Sequence, residues 1–181
     1  MVEISYRAMV AAISVLWCAV RGAVAIKEKK VDLKREMQLL LVYVCIVVIV
    51  RFTFCPFGRV DGQIQPLIFD AARVWPPRIN LLPFVYMTDY VAMRECVLNF
   101  VGNTLMFLPV GIVFPGVYRK LDSHKKALAA GVGFSMVIEI LQLPFYDRVS
   151  DVDDLVLNSL GYALGYLIYL GIKKKRSCRN K

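Results

Sequence analysis

Histidine is almost missing from this chain: His124 is the only one in 181 residues. It falls in a basic stretch away from the other polar motifs, so a Ser-His or Cys-His catalytic pair is not expected. There is no CxxC pair and no Cys/His cluster, which removes the usual zinc frameworks. Acidic residues are outnumbered by basic ones, 14 against 23, for a net charge of +9. That charge does not form a continuous basic surface. It gathers in short clusters at the ends of apolar runs, so no nucleic acid is expected as a partner. The first apolar run lacks a basic start and a clear small-x-small cleavage site, and reads as a retained helix, not a signal peptide. Internal repeats and flexible low-complexity linkers are lacking too, and residues 1–181 read as one membrane domain.

Hydrophobic residues make up 58% of the chain, more than a soluble domain of this length usually needs. Several runs approach the roughly 20 residues that span a bilayer. The expected fold is all-α, a polytopic bundle of about five transmembrane helices near residues 4–26, 37–55, 98–118, 127–143 and 154–172. Pro56, Phe57 and Gly58 close the second helix. In the long 59–97 connection, IQPLIFDAARVW suggests a short interfacial helix and PPRINLLPFVYM an extended or re-entrant segment. Pro109 is expected to kink the third helix. Of the five cysteines, Cys18 and Cys45 read as core residues and Cys178 lies in the basic tail. Cys55 and Cys96 sit at helix ends on the same expected face, and whether they pair is open.

Lysine placement sets the orientation. All eleven lysines fall in residues 27–36, 119–126 and the tail after Ile172. With five spans these regions share one side, the cytoplasm by the positive-inside rule. The N-terminus, the 59–97 loop and the acidic loop after Leu143 then face outward, and the C-terminus is cytoplasmic.

The richest stretch runs from Ser135 to Gly165. Ser135, Glu139 and Gln142 share one helix face, and Asp154, Asn158, Gly161 and Gly165 share another. A carboxylate in an apolar helix normally faces a partner or a cavity, and the two glycines admit close approach of another helix. At 1.5 Å per residue, Arg7, Arg51, Asn103, Glu139 and Asn158 each lie roughly 5–8 Å inside the outer end of their helix. Their shared depth suggests either an outward-facing polar cleft or a set of interhelical bonds that only fixes the bundle. Arg7 and Arg51 could also snorkel. Outer arginines suit a phosphate or carboxylate. Asp151, Asp153 and Asp154 could collect a divalent cation, or could serve as helix N-terminal acids with Asp153 or Asp154 as the cap.

Four motifs, NLLPF at 80–84, NFVGNTLMFLPVG at 99–111, SMVIEILQ at 135–142 and RVSDVDDLVLNSLGYALG at 148–165, resemble in order the VanZ-like family of bacterial membrane proteins. The resemblance covers about half the chain. It implies roles for Asn80, Pro83, Asn103, Phe107, Pro109, Gly111, Glu139, Gln142, Arg148, Asp151, Asp153, Asp154, Asn158 and Gly161. The family's founding member is associated with low-level teicoplanin resistance, so the resemblance implies a cell-envelope setting in the bacterial inner membrane. The partners to expect are the lipid bilayer and a lipid-linked envelope precursor or a lipoglycopeptide; the oligomeric state is open. Three classes follow: a binder, a membrane enzyme with Glu139 as acid or base, and a structural partner of an envelope complex.

Overall fold

Polar side chains start most of the helices. Ser5 Oγ accepts the Ala8 amide at the start of α1 (Tyr6–Glu28). Asp32 Oδ1 accepts the Lys34 and Arg35 amides at the start of α2 (Leu33–Phe54). Ser123 Oγ accepts the Lys126 amide at the start of α4 (His124–Gln142). Each satisfies amides that the first helical turn leaves without partners. α3 (Tyr90–Val117) runs unbroken through Pro109 and Pro115, and α5 (Val152–Arg179) continues through most of the basic tail. Short strands join them: β1 (Val2–Ile4), β2 (Arg59–Val60), β3 (Gln63–Ile64), β4 (Leu67–Phe69), β5 (Ile79–Asn80) and β6 (Ser150–Asp151).

This computed structural model describes residues 2–29, 31–55, 59–60, 62–75, 77–82 and 90–179, with the side chains of 59, 60, 63, 64 and 90–96 left aside. The expected stop at Pro56–Gly58, the role of Pro83 and the Cys55–Cys96 pairing therefore lie outside the described residues. The chain divides into two compact units, one of residues 1–71 with 145–147, the other of residues 72–144 with 148–181.

In the first unit, α1 and α2 form an antiparallel hairpin. The Ser14 and Tyr43 hydroxyls are hydrogen-bonded at 2.7 Å, Trp17 packs on Tyr43, and Arg21 is ion-paired with Glu36. One face of α2 is buried through Leu39, Val42, Cys45 and Ile49, while α1 buries no residue. Cys18 is thus exposed, not a core residue as expected; an apolar helix facing lipid has no need to bury its small residues. β1 pairs antiparallel with β4, and β2 with β3. Phe145 completes this unit, its ring set edge-on against Phe54 and Phe69.

The 64–75 segment is not the interfacial helix expected. It holds β4 and a single 3-10 turn, Ala71–Val74. Pro66 and the β-branched Ile64 and Ile68 favour an extended chain there, and pairing with β1 uses its backbone groups.

In the second unit α3 and α5 run parallel in backbone contact. A Cβ at Gly161 would strike the Thr104 carbonyl, one at Gly165 the Leu108 carbonyl, and one at Gly111 the Tyr162 carbonyl. The close approach read from Gly161 and Gly165 is therefore made, and α3 of the same chain makes it. α4 runs antiparallel to α5: His124 meets Tyr166, Gly131 lies under the Tyr162 ring, and Ser135 meets Asn158. Phe107, Val110 and Tyr162 are fully buried at the centre.

Among the described residues, four helices are long and apolar enough to cross a membrane. α4 is the exception, since Lys125, Lys126 and Glu139 fall within its 19 residues. Between the parallel α3 and α5 the chain runs back as the antiparallel α4. The fold is an all-α polytopic membrane protein with five helices.

Candidate functional site

The polar residues of the Ser135–Gly165 hairpin converge at the end of the second unit where α4 ends and α5 begins. α4 stops at Gln142, two residues before Pro144, as a proline just past a helix end allows. The chain returns through β6, which pairs in parallel with β5, aligning Asn80 with Asp151. Ser150 N–H donates to the Arg78 carbonyl at 3.0 Å. This ladder joins segments about 70 residues apart and brings the 79–82 stretch to the start of α5.

Glu139 lies one turn from the end of α4 and is 6% exposed. Its Oε2 accepts two bonds, from Ser150 Oγ–H and from Asp151 N–H, both at 3.1 Å. Asp151 is the N-cap of α5: its Oδ1 accepts the Asp153 amide at 2.9 Å. This corrects the expected cap at Asp153 or Asp154; helix geometry starts at Val152, so the residue before it is the one positioned to cap. Asp151 Oδ2 accepts from Asn80 Nδ2 at 3.1 Å, and Asn80 Oδ1 accepts the Leu82 amide.

A second group lies alongside. Asp154 Oδ1 accepts from Asn99 Nδ2 at 2.9 Å and Asn103 Nδ2 at 2.5 Å, and Asn103 also donates to Asn99 Oδ1. The glycine contacts of α3 with α5 set this register, since they hold Asn103 level with the first turn of α5. One turn deeper, Asn158 Nδ2 donates to Ser135 Oγ at 3.1 Å, both residues being almost wholly buried. Among the described residues, Asn158 Oδ1, Thr104 Oγ1 and Tyr162 Oη are buried without a hydrogen-bond partner. Gln142 is buried, and Arg148 and Asp153 are half-buried at the same end of the unit.

The second unit thus assembles Asn80, Asn103, Glu139, Asp151, Asp154 and Asn158 into linked polar groups. Arg7 and Arg51 belong to the first unit. Arg7 is exposed on α1. The Arg51 guanidinium lies 5.8 Å from the centre of the Tyr6 ring and donates to the Cys55 carbonyl. Three contributors were not among the expected binding residues, the first being Ser135, which spacing already set on the Glu139 face. Asn99 shares the Asn103 face at i, i+4 spacing, a signal that was available. Ser150 carried no such signal, because only the return of the loop brings it to Glu139.

The donors in the described network are carboxamides, a hydroxyl and backbone amides. Its acceptors are three carboxylates, the Asn80 and Asn99 carboxamide oxygens and the Ser135 hydroxyl. Among the described residues no three acidic, His or Cys side chains converge in a metal-ligating group. Asp151 and Asp154 are each hydrogen-bonded to amide donors, Asp151 to Asn80 and the Asp153 backbone and Asp154 to Asn99 and Asn103. What the arrangement can do is present acceptors and donors side by side, the pattern that matches hydroxyl and amide groups of a ligand.

The fold is that of a multi-pass helical membrane protein, with this polar cluster at one end of a three-helix unit. Its family is also settled: a VanZ/LLP1 family model matches residues 40–173, and the chain belongs to that family. Searches of curated proteins and of solved structures returned no match.

Proposed function

We propose that the protein acts in the bacterial inner membrane as a cell-envelope component contributing to resistance to teicoplanin-type glycopeptides. In this reading the carboxylate–amide cluster of the second unit engages a lipid-linked envelope precursor or the lipophilic antibiotic itself. The observation that carries it is the position of Glu139: a buried carboxylate near the end of an apolar helix, held on one oxygen by Ser150 and Asp151. Intramembrane carboxylates are expensive and are retained where they serve a pathway or a ligand. Asn158 Oδ1, buried and without a donor among the described residues, is the kind of group a bound hydroxyl or amide satisfies. A glycopeptide offers both kinds of donor, and so does a precursor built of sugar and peptide. Family membership supports the envelope setting.

The test is Glu139→Gln. The carboxamide oxygen can still accept both bonds, so the junction of α4 with β6 is kept and only the charge is lost. The variant is expected to reach the parent level in membranes by immunoblot while the host loses its raised teicoplanin tolerance. An abundant, fully protective variant would refute the reading. The second reading, a membrane enzyme with Glu139 as general acid or base, rests on the fixed orientation that two bonds to one oxygen impose. Glu139→Asp separates the two, because a binder tolerates the shorter carboxylate and positioned proton transfer does not.

A further inference from the structure

The opposite end of the second unit carries a different chemistry. There Tyr166 Oη is 3.0 Å from His124 Nδ1, Tyr166 stacks on Tyr169, and Tyr118 is set edge-on to Phe114. A Cβ at Gly116 would touch the Tyr169 ring, so the end of α3 lies beside it. Tyrosines at one level of a bundle mark the headgroup boundary of a bilayer. Arg119 and Lys120 follow Tyr118 directly. α5 does not stop at its tyrosines but stays helical to Arg179. Lys173 stands four residues past Tyr169 and Arg176 seven, or roughly 6 and 10 Å along the helix. That is the depth of lipid phosphates.

All of these basic side chains are exposed. The one acid in the sequence between Thr104 and Ile138 is Asp122, and no acid follows Asp154. Asp122 is bonded to Lys126 at 2.8 Å, and the Lys126 ammonium holds its carboxyl below the usual carboxylate range. It offsets one charge of the cluster and no more. Four consecutive basic residues, Lys173, Lys174, Lys175 and Arg176, step around the helix by about 100° each. They face every direction, which suits a continuous anionic layer and not a single groove. Like charges at i, i+3 also disfavour a helix, and Lys173 with Arg176 is such a pair, so a counter-charge around the turn favours the helical form.

We propose that this basic end binds anionic phospholipid headgroups and seats the second unit against them. The role is more than a signal for insertion, because it persists in the assembled protein. A lysine or arginine at an anionic surface is worth roughly five-fold in association, so a ring of them should select its lipids.

The experiment uses the full-length protein reconstituted into symmetric vesicles of equal phosphatidylglycerol and phosphatidylcholine with matched acyl chains. Insertion signals play no part there. After mild detergent extraction, retained lipids are measured by mass spectrometry. The parent should retain several-fold more phosphatidylglycerol than phosphatidylcholine. The excess should fall toward the bulk ratio at high salt and in a K173Q/K174Q/K175Q/R176Q variant. Equal retention by the parent, or an excess insensitive to salt, would overturn the proposal. The salt arm needs no variant, so the outcome stands even if the substituted protein fails to fold.

Discussion

Adding one methyl group to Gly165 should weaken the protein, and adding one to Gly102 should not. At Gly165 a Cβ runs into the Leu108 carbonyl oxygen, with the Gly111 Cα only 3.0 Å away; at Gly161 it meets the Thr104 carbonyl and its Cα. These obstacles are backbone and cannot rotate aside, so α3 and α5 must separate. Overpacking of this kind costs about 1–3 kcal/mol, set against up to about 1 kcal/mol that alanine gains over glycine in a helix. At Gly102 and Gly133 nothing lies within 4 Å of a Cβ, so Gly102→Ala and Gly133→Ala keep only the gain. The two pairs should therefore move in opposite directions. Thermal unfolding of purified protein in detergent reads the difference, at roughly 2–4 °C per kcal/mol for a chain of this size. The same separation would pull Asn103 from Asp154, so Gly161→Ala should also lower function in proportion to its loss of stability. If Gly165→Ala melts with the parent, or Gly102→Ala falls as far, the helices are not in backbone contact and the reasoning fails.

Two further outcomes are expected. In a cysteine-free variant, Leu121→Cys and Ser177→Cys should react with an impermeant thiol reagent from the same side of the membrane and Val149→Cys from the other; labelling of all three from one side would show that α4 does not cross. Asn158→Ala leaves the buried Ser135 hydroxyl without its donor and should cost about 1–3 kcal/mol, with Ser135→Ala adding much less in that background than alone; full additivity in a double-mutant cycle would show that the two do not interact.

The helices were legible in the sequence because apolar runs of bilayer length have few alternatives. Their ends were less so. α2 starts inside the charged stretch because Asp32 caps it, and α5 outlasts its apolar run because a helix in the headgroup layer has no reason to stop where hydrophobicity does. The 64–75 segment went wrong for a non-local reason: a three-residue strand is decided by the partner it finds, here β1. The site divides the same way. Glu139, Asn158 and the glycine face could be read from helical spacing alone. Asn80 came through a family motif alone, and Asp151 was read as one acid of its loop without its partner, since a parallel ladder between residues so far apart leaves no local trace. Ser150 left none at all.

The second unit is polarised along its length, and this links the two proposed sites. Asp154 and Tyr169 lie on one helix, 15 residues apart, which is roughly 22 Å at 1.5 Å per residue. The carboxylates gather around the first and the exposed lysines beyond the second. That span is roughly three-quarters of a hydrocarbon core about 30 Å thick, so the two ends cannot both sit on one face of a bilayer. Seating the lysines among anionic headgroups of the cytoplasmic leaflet, as the positive-inside rule directs, leaves the Glu139 cluster near the outer leaflet. On the proposed function, a glycopeptide or an exported envelope precursor would be met on that side. In a vesicle with anionic lipid in one leaflet only, the lipid proposal then has a consequence for the site. Accessibility of Val149→Cys should track which leaflet holds the charge, and a random orientation in such vesicles would separate the basic end from any part in placing the cluster.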